Sequence, residues 1–153
     1  MSNLLESVPL RWVVAVVAFP IGGYLGHLIA SPAATAPAAF VSGLVAGAII
    51  APIGEELLFR AFATTAWARE YGPRRALIQG ALFFALVHVL TVTGSSAGEA
   101  VALAIVGFVT RIPVALALGW LFLRRGSIWA PIGLHATFNA ILLILAETAA
   151  AAQ

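Results

Sequence analysis

The stretch "IGEELLFRAF" at residues 53–62 sets Glu55, Glu56 and Arg60 among Ile, Leu, Phe and Ala. Two further stretches, "FALVH" (84–88) and "HATFN" (135–139), place His88, His135 and Asn139 in equally apolar surroundings. A carboxylate and an imidazole that reach one water can share its proton and make it a nucleophile, while a second imidazole and an amide donate to a developing oxyanion. In that assignment Glu55 is the general base, His88 positions the water, and His135 with Asn139 forms the oxyanion hole. The same side chains also read as a two-His, Glu, Asn metal site, with a divalent metal such as zinc at Glu55, His88 and His135. Asn is a poor ligand and the chain has no His-Glu-x-x-His stretch, so the reading without metal or other cofactor is preferred.

Helical geometry separates the three charges of the first stretch. At about 100° per residue, Glu56 and Arg60 lie one turn apart on nearly one face, with the acid on the favourable N-terminal side. They are expected to form a supporting ion pair, which leaves Glu55, about 100° away, for chemistry. Pro52 and Gly54, just upstream, loosen the helix by removing one backbone donor and one side chain, and so admit water near Glu55. Arg111, in "GFVTRIPVAL", is the remaining deep charge. Pairing with Glu55 or Glu56, neutralising a substrate group and snorkelling outward all fit it, and substrate binding is its candidate functional role. His27 has no acid beside it and reads as an interhelical hydrogen-bonding group.

The elements that must carry these residues are membrane spans. Polar joints divide the chain into five apolar segments at about 12–30, 38–68, 76–92, 101–123 and 127–149, each long enough for a helix of roughly 20 residues across a bilayer. The joints are "SPAATAP", "REYGPRR", "TGSSAGEA" and "RRG". Counted at about 1.5 Å per residue from the cytoplasmic ends, Glu55 and Glu56 lie near 20 Å, His88 and Asn139 near 18 Å and His135 near 12 Å, so three spans bring polar groups to similar depth. Two GxxxG pairs, Gly22/Gly26 and Gly43/Gly47, allow close backbone approach. Trp12, Trp67 and Trp129 lie near span ends as interfacial anchors. A cleaved signal peptide is the alternative for the first segment, but its apolar run exceeds the roughly 7–15 residues of a signal core.

Composition agrees with an all-α, polytopic helical bundle forming one integral membrane domain over 1–153, its catalytic core at about 38–149. Of 153 residues, 62% are hydrophobic and 9% charged, and the mean hydropathy is +1.05. The eight basic residues are all Arg and the six acids all Glu, too few and too scattered for a nucleic-acid surface. Cysteine is absent, which removes disulfides, thiolate catalysis and Cys-ligated metals. Arginines 11, 69, 74, 75, 124 and 125 fall on one side of the five spans, which orients the chain with its N-terminus inside and C-terminus outside. Rich Ala and Arg usage without Lys points to a bacterial inner membrane.

"EELLFR" (55–60), "FALVH" and "HATFN", in this order and on separate spans, resemble the CPBP family, the CAAX proteases and bacteriocin-processing enzymes that include the type II CAAX prenyl endopeptidases. "LGWLFLRRGSIWAPIGLHATFNAI" (118–141) also looks like that family's last core segment, so the resemblance covers roughly residues 48 to 145. It implies a glutamic-type intramembrane endopeptidase that cuts near the C-terminus of a membrane-embedded protein or peptide substrate. Glu55, His88, His135 and Asn139 then form the catalytic set, with Glu56 and Arg60 in support. The chain is shorter than the eukaryotic members, which turns the expectation from prenylated substrates towards removal of C-terminal sorting anchors, or bacteriocin maturation or self-immunity. A non-enzymatic immunity or scaffold protein and a proton or ion pathway are the competing classes. A scaffold has no use for the full set together, and a relay needs polar groups leading to both surfaces.

Because no native cysteine interferes, single-cysteine variants test the orientation. Ser95→Cys is expected to react with a membrane-impermeant maleimide from outside intact cells, and Arg125→Cys only after permeabilisation.

Overall fold

The apolar segments form helices whose ends are set by a few capping residues. The structure is a computed structural model and describes residues 36–90 and 92–152. In chain order its elements are α1 (Ala36–Leu44), a π-helical segment (Val45–Ile50), α2 (Ala51–Glu56), a second π-helical segment (Leu57–Thr64), α3 (Thr65–Tyr71), α4 (Pro73–Val89), α5 (Ala97–Arg125) and α6 (Trp129–Ala151). No strand occurs among the described residues. Three helical stretches, Ala38–Tyr71, Ala97–Arg125 and Trp129–Ala151, are long and apolar enough to cross a membrane. The expected first span, with Trp12, Gly22/Gly26 and His27, lies outside the described residues. The expected third span is helical, but α4 has 17 residues, about 25 Å of rise, short of the roughly 30 Å hydrocarbon core.

The joints are tighter than the sequence suggests. Only Gly72 separates α3 from α4; its φ of 81° is one that glycine adopts without a Cβ penalty, and Pro73 then starts the next helix where a missing N–H costs nothing. At the start of α5 the Ser96 hydroxyl accepts from Glu99 N at 3.2 Å, while the Glu99 carboxylate accepts from Ser95 N at 2.7 Å and from the Ser95 hydroxyl. These bonds satisfy donors that the helix start leaves open. α5 ends at Gly126, φ 61°, whose N–H donates to Phe122 O at 2.9 Å, with Arg124 and Arg125 in the last turn, where the helix dipole favours cations.

The chain forms two compact units, one of residues Met1–Leu58 with Ile132–Gln153 and the other of Phe59–Pro131. In the first, α6 approaches the π-helical segment at Gly47, where a Cβ would stand 3.2 Å from Leu143 Cδ1. The Asn139 side chain donates Nδ2–H to Gly47 O at 2.9 Å, so the second glycine of the Gly43/Gly47 pair serves contact within the chain.

In the second unit α4 packs between α3 and α5. Its centre is Phe59, fully buried, its ring centroid 5.3 Å from that of Phe83 and 5.0 Å from that of Phe84 in edge-to-face packing. Around it are buried small residues, Ala76, Ala81, Ala85 and Ala115, with Leu118. Small side chains let helices approach closely, the usual means of association where lipid removes the hydrophobic driving force. Outward faces are apolar too: Ile78, Leu86, Val101, Ile105, Val109 and Ile141 are all exposed, as expected of helices solvated by lipid.

The closest of these approaches is at Gly80, where a Cβ would meet Thr64 Oγ1 at 2.6 Å. Gly80→Ala is therefore expected to destabilise the protein by about 1–3 kcal/mol through overpacking, measured as a lower thermal midpoint in detergent. Adding Thr64→Ala, which removes the obstructing oxygen, is expected to restore part of the loss.

Candidate active site

Glu55 and Glu56 close the short helix α2, which carries Pro52 in its first turn and lies between the two π-helical segments. Proline removes an N–H and crowds the preceding turn, and the looser i→i+5 winding accommodates such a break; π-helical turns occur mostly at functional sites. The wider winding is visible in side-chain bonds too, since Thr64 Oγ1 donates to Phe59 O at 2.8 Å and Thr65 Oγ1 to Arg60 O at 3.2 Å, each five residues back. The loosening expected at Pro52 and Gly54 thus takes the form of altered helix winding on both sides of the two acids.

His135, on α6, meets both carboxylates. Its Nδ1 hydrogen-bonds Glu56 Oε1 at 2.8 Å, and its Nε2 stands 3.6 Å from Glu55 Oε2. A carboxylate accepts, so Nδ1 carries the proton that Glu56 holds, and this fixes the ring's orientation. At 3.6 Å the Glu55 oxygen faces Nε2 within ion-pair distance, beyond direct hydrogen-bond length. The acids differ in access as well: the Glu56 side chain is fully buried and that of Glu55 keeps 12% exposure. One turn beyond His135 on the same helix, Asn139 uses one amide N–H on Gly47 O, and an amide nitrogen carries a second.

The second unit holds His88, Arg60 and Arg111. His88 Nδ1 lies 2.8 Å from Phe84 O; a carbonyl only accepts, so the hydrogen is on Nδ1 and a neutral ring keeps its lone pair on Nε2, as a base or water acceptor requires. The His88 ring lies against Phe84, centroids 4.2 Å apart at 31°. Arg60, buried, places its guanidinium carbon 4.6 Å from the same Phe84 ring and donates Nη2–H to Ala115 O at 3.2 Å. Arg111 Nη1 donates to Gly107 O at 3.0 Å, one turn back on its own helix.

Two features of the site were not expected from the sequence. Glu56 is bonded to His135, a contact from α2 to α6 that an i, i+4 rule, which sees only neighbours along one helix, does not reveal. Phe84, Gly47 and the Ala115 carbonyl were not singled out as site components. Only Phe84 left a signal, its i, i+4 spacing from His88. Among the described residues no group of three or more His, Cys, Asp or Glu side chains is placed to hold a metal ion.

The family model described as Type II CAAX prenyl endopeptidase Rce1-like matches residues 37–141, more than half of the chain and including every candidate residue above. No curated protein and no solved structure matches the chain.

Removing the acceptor of a buried N–H strands that donor, at a cost of about 1–3 kcal/mol. Glu56→Ala is therefore expected to lower the thermal midpoint in detergent by that equivalent.

Proposed function

We propose, since the chain belongs to the Type II CAAX prenyl endopeptidase Rce1-like family, that it is an intramembrane endopeptidase hydrolysing a peptide bond near the C-terminus of a membrane-anchored protein or peptide. The observation that carries the chemical reading is the buried imidazole of His135, held by Glu56 at Nδ1 and facing the more accessible Glu55 at Nε2. The reading takes Glu55 as base, His135 as donor and Glu56 as orienting group of an acid–base site.

In the proposed reaction Glu55 takes a proton from a water that His88 also holds through Nε2. The oxygen of that water bonds to the scissile carbonyl carbon, and the carbonyl π pair moves onto oxygen. His135, its Nδ1 held by Glu56, and the second N–H of Asn139 are the donors assigned to this oxyanion; such donors act where charge develops. Collapse of the intermediate breaks the C–N bond, and Glu55 returns its proton to the leaving amine. Glu56 and Arg60 support the set, Glu56 by orienting His135 and Arg60 by backing Phe84. The substrate class in this proposal is a protein with a C-terminal sorting anchor, and the setting a bacterial inner membrane.

Intact masses of co-expressed C-terminal-anchor substrates test the proposal. Wild type is expected to release a C-terminal fragment, and Glu55→Gln to lose cleavage by about 10²–10⁴-fold with its fold kept. Near-normal cleavage by Glu55→Gln overturns the assigned base. Absence of cleavage by folded wild type across a broad panel favours an immunity or scaffold protein. Cleavage is expected to survive chelators; loss on chelation with recovery on added zinc would establish the metal reading instead.

A further inference from the structure

Arg111 stands at the midpoint of the 29-residue helix Ala97–Arg125, one of the three stretches long and apolar enough to span a membrane. Fourteen residues on either side put it about 21 Å along the axis from each end. A cation at such a place costs roughly 2.5–3.5 kcal/mol on insertion scales unless something neutralises it. A guanidinium has five N–H donors, and the one bond the structure gives it is from Nη1 to Gly107 O, on its own helix. Among the described residues no carboxylate lies within ion-pair distance of it. The side chain is half-buried. Its bond to Gly107 ties it back by one turn along the helix, in place of extension towards the C-terminal membrane surface.

The place where it lies is open because residue 107 is glycine. A Cβ there would stand 2.9 Å from Arg111 Nη1 and 3.5 Å from Val89 Cγ1, so the guanidinium and the last residue of α4 converge on the same bare stretch of α5. Val89 directly follows His88. The donors of Arg111 are therefore presented at the end of α4 that carries the proposed water-holding histidine.

Two sources of an anion exist in a membrane. Lipid phosphates lie beyond the hydrocarbon core, about 15 Å from its centre, and so at the wrong depth for a residue at mid-helix. A carboxylate carried in by a peptide has no such restriction, and guanidinium binds carboxylate through two parallel bonds. We infer that Arg111 binds the free C-terminal carboxylate of the substrate. This inference rests on the endopeptidase reading and adds to it the chemical group that the substrate must present.

A matched pair of peptide substrates, one ending in a free carboxylate and the other in a carboxamide, tests it with the full-length protein in lipid-free neutral detergent. Wild type is expected to prefer the acid in kcat/KM by about ten- to a hundredfold, the range for a hydrogen bond to a charged group. In Arg111→Gln the acid-to-amide ratio is expected to fall towards one, and Arg111→Lys, which keeps charge without the planar fork, to give an intermediate ratio. If Arg111→Gln fails to fold, the ratio in wild type and in Arg111→Lys decides. Equal cleavage of both peptides by wild type overturns the inference and leaves the endopeptidase intact. A preference for the acid that persists unchanged in the folded variants also overturns it, as does dependence of the rate on added anionic lipid with no acid-to-amide difference. Failure of wild type to cleave either peptide removes the endopeptidase reading and this inference with it.

Discussion

Holding a carboxylate away from water in a chain this apolar costs several kcal/mol unless a partner compensates, and His135 is such a partner for Glu56. Much of the first unit is arranged around that contact. It needs α6 close enough to α2 for an imidazole to reach, and the small Gly47 on the preceding π-helical segment permits the approach, with Asn139 fastening the two backbones one turn further along. It also needs the helix to turn both Glu55 and Glu56 towards one ring. Regular winding sets adjacent side chains about 100° apart, and a ring with a nitrogen on each side can address both.

The second unit meets the same constraint by another route. Arg60 is as buried as Glu56, and its surroundings include a π-face and a backbone carbonyl, Phe84 and Ala115. Aromatic faces attract cations, more strongly when both are desolvated. Phe84 also bears on His88 through its other contact, so one side chain serves a charge and a candidate catalytic ring together. The near absence of large side chains at the α4 packing positions Gly80, Ala81 and Ala85 brings the helices close enough for those short-range contacts to form.

The chain belongs to a family of membrane endopeptidases. A peptide bond can be hydrolysed in a lipid environment only if the protein itself supplies the base, the donors and the water that the bilayer lacks. Each is expensive to bury, and the polar side chains of the spans are accordingly few, with backbone carbonyls at Gly47, Phe84, Gly107 and Ala115 taking up donors. Arg111 donates to a carbonyl one turn back on its own helix, at Gly107.

The helical membrane class and the family were legible in the sequence, because apolar length and the types and spacing of Glu, His, Asn and Arg are local properties of the chain. Joint chemistry was legible as well: Gly72, Ser96 and Gly126 end or begin helices for reasons that act within a few residues. The π-helical winding around α2 was legible only as a weakness at Pro52 and Gly54, since how a broken helix rewinds depends on what packs against it. Partnership was the part the sequence could not contain. The contact of Glu56 with His135, 79 residues away, follows no spacing rule, because a buried carboxylate binds donors that the packing of helices delivers. Sequence determined which groups had to be satisfied inside the membrane; tertiary structure decided by which partners, since that depends on helix approach in three dimensions and not on order along the chain.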